Sequence, residues 1–438
     1  MDLTQIGTSL DYHLGVRRNL YAMVQQLGPL TFFVSFSSAE HRWKPLINAL
    51  KYIKEKTNLP VENEIQDNEI ETLVRNDPVT CVRDYRNRIN ALRQLLAYDY
   101  KHYGQIKDYF FITEFQNRGS EHDHGLLWIK DAPIYGKNTN AEIEEFVERY
   151  LSSDSRLLTN DLKTIQQHHH TRTCRKNKNA HCRFNFPIPP MRKTRILEPT
   201  EFKNDIMKRN AKIIFDTLEH TKYDDTYTFD NFLESLSLTE DDYINAIKCS
   251  LKRTTILLER RPVDTWTNNF SRHIPIVWNA NTDSQYVLDS YAAATYCSSY
   301  MTKLDRTMTE TFKHIREEHQ KTKNDIVQTI SRLGKALLNL QQMSAQQVVY
   351  IVLSLPLNTS SRKCVFINTS PKDQRAFILK KPKDLQQERD DSEDIACASI
   401  IDWYLDRPAT IEHICLAEFA SSYTKKGNKR KKKVICHM

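Results

Sequence analysis

Residues 109–130, YFFITEFQNRGSEHDHGLLWIK, decide the fold because they form the pattern of two strands joined by a tight turn. Residues 109–116 and 122–129 are aromatic or aliphatic at most positions. Residues 117–119 between them are Asn-Arg-Gly, a composition typical of a turn. The stretch therefore predicts an antiparallel hairpin, and the strands and helices before it predict an antiparallel sheet flanked by helices.

One face of this hairpin carries candidate metal ligands. Side chains alternate along a strand, so His122 and His124 share a face. A turn of odd length, such as 117–119, places Glu114 opposite His122 on that face. Two imidazoles and a carboxylate are a ligand set for a divalent ion with an open coordination position. From these residues alone, two surface histidines beside a charged turn remain the alternative.

The composition is that of a globular protein with a basic excess. The chain has 438 residues, of which 39% are hydrophobic and 27% charged, and its formal net charge is +8. This length allows two or three domains, and the charge suggests a polyanionic partner. Nine scattered cysteines are not the pattern of a secreted disulfide framework, and the start is not a signal peptide. The longest apolar run, 348–357, is too short for a bilayer, so no membrane partner is expected.

The order of elements predicts four parts. Residues 201–285 are predicted to be mostly helical, and residues 363–368 to form a short strand. The predicted parts are a helical lead-in (1–29), a domain that contains the sheet (30–310) and a Cys/His-rich insertion at about 155–200, a mostly helical C-terminal part (311–424) and a basic tail (425–438).

The insertion carries a second set of candidate ligands. His168, His170, Cys174 and Cys182 form the pattern His-x-His-x3-Cys-x7-Cys, which supplies two imidazoles and two thiolates for a structural zinc ion. His169 and His181 can substitute in this set. A solvated basic loop with incidental cysteines is the alternative that the spacing leaves open.

The third candidate element is a helix over residues 291–306, YAAATYCSSYMTKLDR. On a helix, Tyr296, Tyr300 and Lys303 fall on one narrow face. A phenol can become the covalent carrier in attack on a phosphodiester, and a nearby ammonium group offsets phosphate charge. Tyrosines at this spacing are also typical of a stripe that packs into a core.

Five ordered stretches resemble one family. They are FFVSFSS (32–38), EFQNRGSEHDHGLLW (114–128), HTRTCRKNKNAHCRFNFPIPP (170–190), YCSSYMTK (296–303) and SAQQVVYIVLSLPLNTSSRKCVFINTS (344–370). Together they resemble the replication-initiator region of Helitron-type rolling-circle transposases, the helitron helicase-like domain family. The resemblance spans most of residues 30–420.

The resemblance implies that residues 30–310 form an HUH-type nuclease domain, where HUH stands for a His-hydrophobic-His metal motif. His122 and His124 match the family's two metal-binding histidines, and Glu114 lies where related initiators place a carboxylate ligand. Tyr296 and Tyr300 match two nucleophilic tyrosines, and Lys303 the companion lysine. The fold class expected is α+β, with a central antiparallel sheet of HUH type. The position between the histidines is Asp123 here, which is not hydrophobic and is expected on the opposite sheet face.

The function implied is metal-dependent nicking and strand transfer of single-stranded DNA. The expected cofactor is Mg²⁺ or Mn²⁺, and the partners are single-stranded transposon ends and a helicase in cis or in trans. A phosphate loop would need Gly-Lys followed by Ser or Thr, and neither Gly136-Lys137 nor Gly334-Lys335 has it. No ATPase is therefore expected in this sequence. The basic run 425–433 suggests a nuclear location. The alternative is a catalytically inactive nucleic-acid-binding remnant of a transposon protein.

Overall fold

The structure is a computed structural model. It describes residues 10–55, 66–116, 119–171, 174–175, 182–301, 317, 331, 343–371, 374–375, 379–380 and 397–423. The described residues divide into two compact units, one on each side of the boundary between Arg362 and Lys363. The four parts expected from the sequence stay a prediction.

The first unit contains most of the helices. They are α1 (Leu10–Leu27), α2 (Lys44–Glu55), α3 (Asp67–Asn76), α4 (Pro78–Tyr98), α5 (Asn140–Tyr150), α6 (Asn160–Gln166), α7 (Asp205–His220), α8 (Phe229–Leu236), α9 (Glu240–Ser250), α10 (Ile274–Trp278), α11 (Ser290–Met301) and a helix at Ala345–Val352. Short 3₁₀ turns lie at Ser155–Leu157 and Pro262–Asp264.

Nine strands form three antiparallel sheets in the described residues. They are β1 (Phe32–Ser37), β2 (Ile106–Phe115), β3 (Glu121–Ile129), β4 (Leu151–Ser152), β5 (Arg195–Leu197), β6 (Thr255–Leu257), β7 (Phe270–Ser271), β8 (Thr282–Tyr286) and β9 (Asn358–Ser360). The main sheet has the strand order β8-β1-β3-β2-β9, and the pairs β4-β7 and β5-β6 are separate ribbons. The α+β class expected from the sequence is confirmed.

The hairpin expected from residues 109–130 lies in the middle of the main sheet. Strand β3 pairs with β2 on one side and with β1 on the other. Glu114 lies opposite His122, and His124 opposite Ile112, so the register predicted from the turn length is confirmed. A central strand has no free edge, and its side chains project only to the two faces of the sheet.

One face of the sheet forms the main hydrophobic core. Phe32, Val34 and Phe36 of β1 are completely buried there with Leu127 of β3. Helix α4 begins at Pro78, where the Asp77 carboxylate accepts a hydrogen bond from the Thr80 amide at 3.0 Å. Its apolar side chains recur at helical spacing and pack against this face: Cys81, Tyr85, Ile89, Leu92 and Leu96.

The other face of the sheet is covered by α1 and α11. The Trp128 indole donates to the Gly28 carbonyl just after α1, at 3.0 Å. Near the start of α1, the Tyr12 hydroxyl donates to Asn358 of β9 at 2.8 Å. The Tyr296 ring of α11 contacts the Phe33 ring, with centroids 5.6 Å apart. Both faces of β3 are therefore covered, which explains why nearly all of its residues are buried.

The stretch between β5 and β6 builds a second hydrophobic core. Helices α7, α8 and α9 bury Ile214, Phe232, Tyr243 and Ile247 against one another and against the β5-β6 ribbon. This helical part agrees with the expectation for residues 201–285. The expectation omitted β8, which joins the main sheet beside β1.

The last strand of the main sheet was not expected from the sequence, which predicted a short strand only further along the chain. Residues 363–368 form no strand, and the prediction of a strand there is wrong. The last strand of the main sheet is β9, which pairs with Phe110–Ile112 of β2. The helix at Ala345–Val352 precedes it and packs Val349 and Tyr350 against Val82 of α4.

The second unit has a small core of its own. Helices Ile400–Leu405 and Leu416–Ser422, with a 3₁₀ turn at Ala409–Ile411 between them, bury Ile414, Phe419 and Tyr423. Throughout the described part of the chain, no helix combines the length and apolar character needed to cross a bilayer.

Gly125 allows β3 to approach its neighbours on the core face. A Cβ atom at this position would lie 2.4 Å from Phe111 Cε1 and 2.7 Å from Val34 Cγ2, and both rows of side chains are buried. Gly125→Ala is expected to lower the free energy of unfolding by about 1–3 kcal/mol because the core is overpacked. Gly15→Ala is the control, since nothing lies within 4 Å of its Cβ position in α1 and alanine favours a helix. Urea unfolding of both variants measures the difference, and an unchanged Gly125→Ala midpoint would contradict this packing.

Candidate functional site

The two hairpin histidines project from the face opposite the main core. His122 and His124 lie with their ring centroids 4.6 Å apart. Ser37 Oγ lies 3.0 Å from His122 Nδ1, and Glu114 Oε2 lies 3.1 Å from His124 Nε2. The contact at Nδ1 leaves Nε2 of His122 for another partner. The four side chains come from three neighbouring strands, β1, β2 and β3.

Burial keeps both imidazoles neutral. It lowers the pKa of His122 to about 3, with a further lowering by the neighbouring His124 that Glu114 opposes. Burial also lowers the pKa of His124 to about 4. Neutral imidazole nitrogens are the form that binds a cation. The 3.1 Å between His124 Nε2 and the Glu114 oxygen is also close to the about 3 Å that separates neighbouring ligands in octahedral coordination at about 2.1 Å.

Helix α11 brings one of the two candidate tyrosines to this face. The Tyr296 ring meets the His124 ring edge-on, with centroids 6.1 Å apart, and its side chain is 42% exposed. A tyrosine buried in a core stripe would not be so exposed. Tyr300 belongs to the same helix one turn later, and Lys303 lies outside the described residues. The structure thus brings together His122, His124, Glu114 and Tyr296.

Asp123 projects into the opposite side of the sheet, as expected. It is completely buried, and its carboxylate accepts hydrogen bonds from Arg93 at 2.6 Å, Tyr85 at 3.0 Å and Thr113 at 2.8 Å. Burial raises the pKa of Asp123, and the Arg93 charge opposes that rise. The acidic residue between the histidines therefore leaves their face of the sheet unchanged.

The four candidate zinc ligands also converge. One ligand atom from each of His168, His170, Cys174 and Cys182 lies within 4.8 Å of the other three. His170 Nδ1 is 3.5 Å from Cys174 Sγ, and His168 Nε2 is 3.4 Å from Cys182 Sγ. Tetrahedral zinc, with bonds of about 2.3 Å to sulfur and 2.05 Å to nitrogen, requires about 3.5 Å between such atoms. The donor set and its spacing fit zinc.

The surroundings of this cluster hold its ligands in place. His168 stacks on the buried Phe186 ring with centroids 4.4 Å apart, and its amide donates to the Trp266 carbonyl at 2.7 Å. His170 Nε2 faces Glu219 Oε1 at 3.6 Å, on the side of the ring away from Cys174. Burial lowers the pKa of His168 to about 4 and raises the pKa of the Cys182 thiol.

Of the two histidines that can substitute in this ligand set, the structure describes one. His169 is exposed and does not join the ligand cluster, and His181 lies outside the described residues. Sequence reasoning missed Glu219, which also binds Arg175 through two hydrogen bonds of 2.9 Å. Nothing in the sequence near Glu219 links it to the cysteines. Ser37 was also missed, because its position opposite His122 depends on the pairing of β1 with β3, which the sequence does not give.

Comparison with known families now bears on this geometry. Residues 4–127 match the family model described as Helitron helicase-like domain at N-terminus. The resemblance noted from the sequence is confirmed for this region, and it indicates a transposon-related function. The match covers less than a third of the chain and includes the strands that carry Glu114, His122 and His124. The Cys/His cluster and Tyr296 lie beyond it. No curated protein shows a significant match to the chain.

The Asp123 network predicts a large loss of stability when its anion is removed. Asp123→Ala leaves the Arg93 guanidinium, whose side chain is 12% exposed, without its partner. We expect the free energy of unfolding to fall by about 3–5 kcal/mol. Asp84→Ala is the control, since it breaks the partly exposed ion pair between Asp84 and Arg88 on the same helix. Such a pair contributes only about 0–1 kcal/mol to the free energy of unfolding. Equal urea midpoints for the two variants would rule out a structural role for Asp123.

Proposed function

We propose that this chain is a Helitron-like replication initiator of the HUH-endonuclease type. It nicks single-stranded DNA at transposon ends and transfers the strand through tyrosine. The observation that carries the proposal is the convergence of His122, His124, Glu114 and Tyr296 on one sheet face, from elements that are far apart in sequence. If the tyrosines of α11 only packed into a hydrophobic core, they would not need to lie beside the histidines.

The metal chemistry proposed requires three ligands from this face. His122 Nε2, His124 Nε2 and Glu114 would hold Mg²⁺ or Mn²⁺, which when bound would polarise the scissile phosphate. Ser37 would hold His122 in the tautomer that presents Nε2. The burial that keeps both imidazoles neutral supports this assignment, because the ligands need not lose protons first.

The reaction proposed is a transesterification. The Tyr296 or Tyr300 oxygen attacks the phosphorus, and the bond from phosphorus to the 3′ oxygen breaks. The 3′ oxygen takes up a proton equivalent to the one the phenol loses, which gives a free 3′-hydroxyl and a 5′-phosphotyrosine. The second tyrosine would accept the other strand for transfer. Lys303, the companion lysine of the family resemblance, would offset charge on the phosphate.

The proposed zinc ion has a structural role. It would be held by His168, His170, Cys174 and Cys182, and would order the loop between the cysteines. Glu219 would accept from the far nitrogen of His170 and so fix its orientation. We further propose a nuclear location and cooperation with a helicase in cis or in trans, both by analogy with the family.

The competing proposal is an inactive nucleic-acid-binding remnant. It is compatible with the basic charge and the Cys/His cluster, and it differs from the nuclease in forming no covalent product. The cluster on the sheet face favours the nuclease, because a protein that only binds DNA needs no phenol beside paired imidazoles.

Covalent capture of labelled DNA tests the nuclease. The full chain, incubated with Mn²⁺ and single-stranded DNA labelled at its 3′ end, should form a labelled adduct, because the tyrosine stays joined to the 5′ phosphate of the fragment that carries this end. A label at the 5′ end should leave with the fragment that has the free 3′-hydroxyl. The double variant Tyr296→Phe/Tyr300→Phe should reduce adduct by at least about a hundredfold, since Phe keeps the packing and removes the nucleophile. His122→Ala/His124→Ala should reduce it to a similar extent. Tyr291→Phe, an exposed tyrosine of α11, is the control and should leave adduct formation unchanged.

Two outcomes would contradict this assignment. An adduct that persists in the double Phe variant would exclude these tyrosines as nucleophiles. Binding of DNA without any adduct from the unaltered chain, in Mg²⁺ or Mn²⁺, would instead support the remnant.

Elemental analysis tests the zinc site separately. The purified chain should hold about one zinc ion, and Cys174→Ser or Cys182→Ser should lose it because a thiolate ligand is removed. Glu219→Gln should weaken zinc binding by about 10–100-fold, measured by competition with a chelator. Cys415→Ser is the control, since this exposed cysteine is not part of the cluster. A chain without zinc whose Cys174 and Cys182 both react freely with a thiol reagent would contradict the site.

A further inference from the structure

A second polar cluster lies where α1 meets α11, next to Tyr296. The Tyr21 hydroxyl is 2.8 Å from Thr295 Oγ1, so a hydrogen bond joins the two helices. The guanidinium of Arg17, one turn before Tyr21 on α1, lies 5.5 Å from the centre of the Tyr21 ring. We name these three residues, Arg17, Tyr21 and Thr295, the Arg17 cluster.

Within the described residues, no carboxylate neutralises the positive charge of this cluster. Arg17 is exposed and has no carboxylate within salt-bridge distance there. Some arginines of the first unit do pair with acids, as Arg93 does with Asp123 and Arg175 with Glu219. An exposed cation beside two hydroxyl groups presents donors to an anion and offers no competing carboxylate.

The hydroxyl of Tyr21 is polarised by the same neighbours. Partial burial raises its pKa, but hydrogen bonding with the Thr295 and Ser298 hydroxyls, together with the charge and hydrogen bonding of Arg17, outweighs that effect and lowers the pKa. A phenol in this setting is a stronger hydrogen-bond donor than one in water. Nothing in the metal or tyrosine chemistry described above uses Tyr21.

The position of the cluster relative to the candidate nucleophile is set by helix geometry. Thr295 directly precedes Tyr296, so their side chains leave α11 about 100° apart. Tyr296 faces His124, and Thr295 faces α1. A strand that placed one phosphate at Tyr296 and continued along the surface where α1 and α11 meet would bring its next phosphates near Arg17.

We propose that the Arg17 cluster is a binding site for a phosphate of the single-stranded DNA, adjacent to the scissile one. This inference rests on the proposed function, since it takes single-stranded DNA as the ligand. The cluster contacts the backbone and reads no base. It positions the strand, and the bond that breaks lies at the nucleophilic tyrosine of α11.

Salt-dependent binding tests this site without cleavage. The full chain is titrated with fluorescent oligo(dT) in EDTA at several salt concentrations. Arg17→Ala should lower the slope of log K against log salt by about 0.7, the value for one phosphate contact on a single strand, and weaken binding by about fivefold at 0.1 M salt. Tyr21→Phe should weaken binding by about two- to tenfold and leave the slope unchanged, because it removes a hydrogen bond and no charge.

Arg18→Ala is the matched control. Arg18 is also exposed on α1 and carries the same charge, but it is not part of the cluster. If Arg17→Ala and Arg18→Ala change the slope equally, the effect is that of net charge and the site is refuted. If Arg17→Ala only lowers the melting temperature and leaves binding unchanged, the cluster joins two helices and does nothing more.

The outcomes separate this inference from the proposed function. An unaltered chain that does not bind oligo(dT) would contradict both. An unaltered chain that binds and forms adduct, with binding by Arg17→Ala equal to that of Arg18→Ala, would overturn the phosphate site alone. Loss of slope with Arg17→Ala in a chain that forms no adduct would support the site and contradict the nuclease.

Discussion

The antiparallel register between β2 and β3 is the constraint on which the candidate site depends. Successive side chains of a strand project to opposite faces, so a slip of one residue exchanges the two faces. In the observed register His122 and His124 lie on the face covered by α11, and Asp123 lies on the core face. After such a slip the imidazoles would enter an apolar core, and the Asp123 carboxylate would lose Arg93.

Several contacts make that slip unfavourable. The Asp123 carboxylate is satisfied by three side chains, from α4 and β2, that meet only in this register. Gly125 stands where any larger side chain would meet Phe111 and Val34, so the strand fits its neighbours at one position. A buried carboxylate without its partners costs several kcal/mol, which is comparable with the whole stability of a domain. Asp123 thus favours the register in which His122 and His124 both lie on the face covered by α11.

The parts of the fold that the sequence predicted are those that depend on near neighbours. The hairpin is encoded by alternation and a turn within about twenty residues, and α4 by Asp77-Pro78 and its apolar spacing. Strands β8 and β9 were not predicted because their residues, TDSQY and NTS, are polar and carry no strand signal. They become strands because β1 and β2 offer them backbone partners across long separations in the chain. Propensity gives way to tertiary pairing at such edges.

The candidate sites divide in the same way. The zinc-type ligands were predicted from their spacing, since His168 to Cys182 is a short segment. Glu219 was not predicted, because it belongs to α7 and no sequence pattern connects it with that segment. Likewise Tyr296 was suggested by its helical spacing with Tyr300. Its proximity to His124, however, could be argued only from family resemblance. Tyr21 had no signal at all, because its partner Thr295 is brought to it by packing of α1 on α11.

Strand β8 is what connects these separate parts of the chain. The family match ends at Leu127, and Tyr296 follows after the Cys/His cluster and the helices α7 to α9 have intervened. The strands between β3 and β8 in the chain lie outside the main sheet, and helices α7 to α9 have a hydrophobic core of their own. The chain then returns as β8, whose Asp283 pairs with Ser35 of β1, and Ser35 pairs in turn with His124. Because α11 begins only a few residues after β8 ends, the backbone pairing of β8 with β1 fixes where α11 can start. A polar edge strand without sequence signal therefore determines that Tyr296 reaches the histidine face.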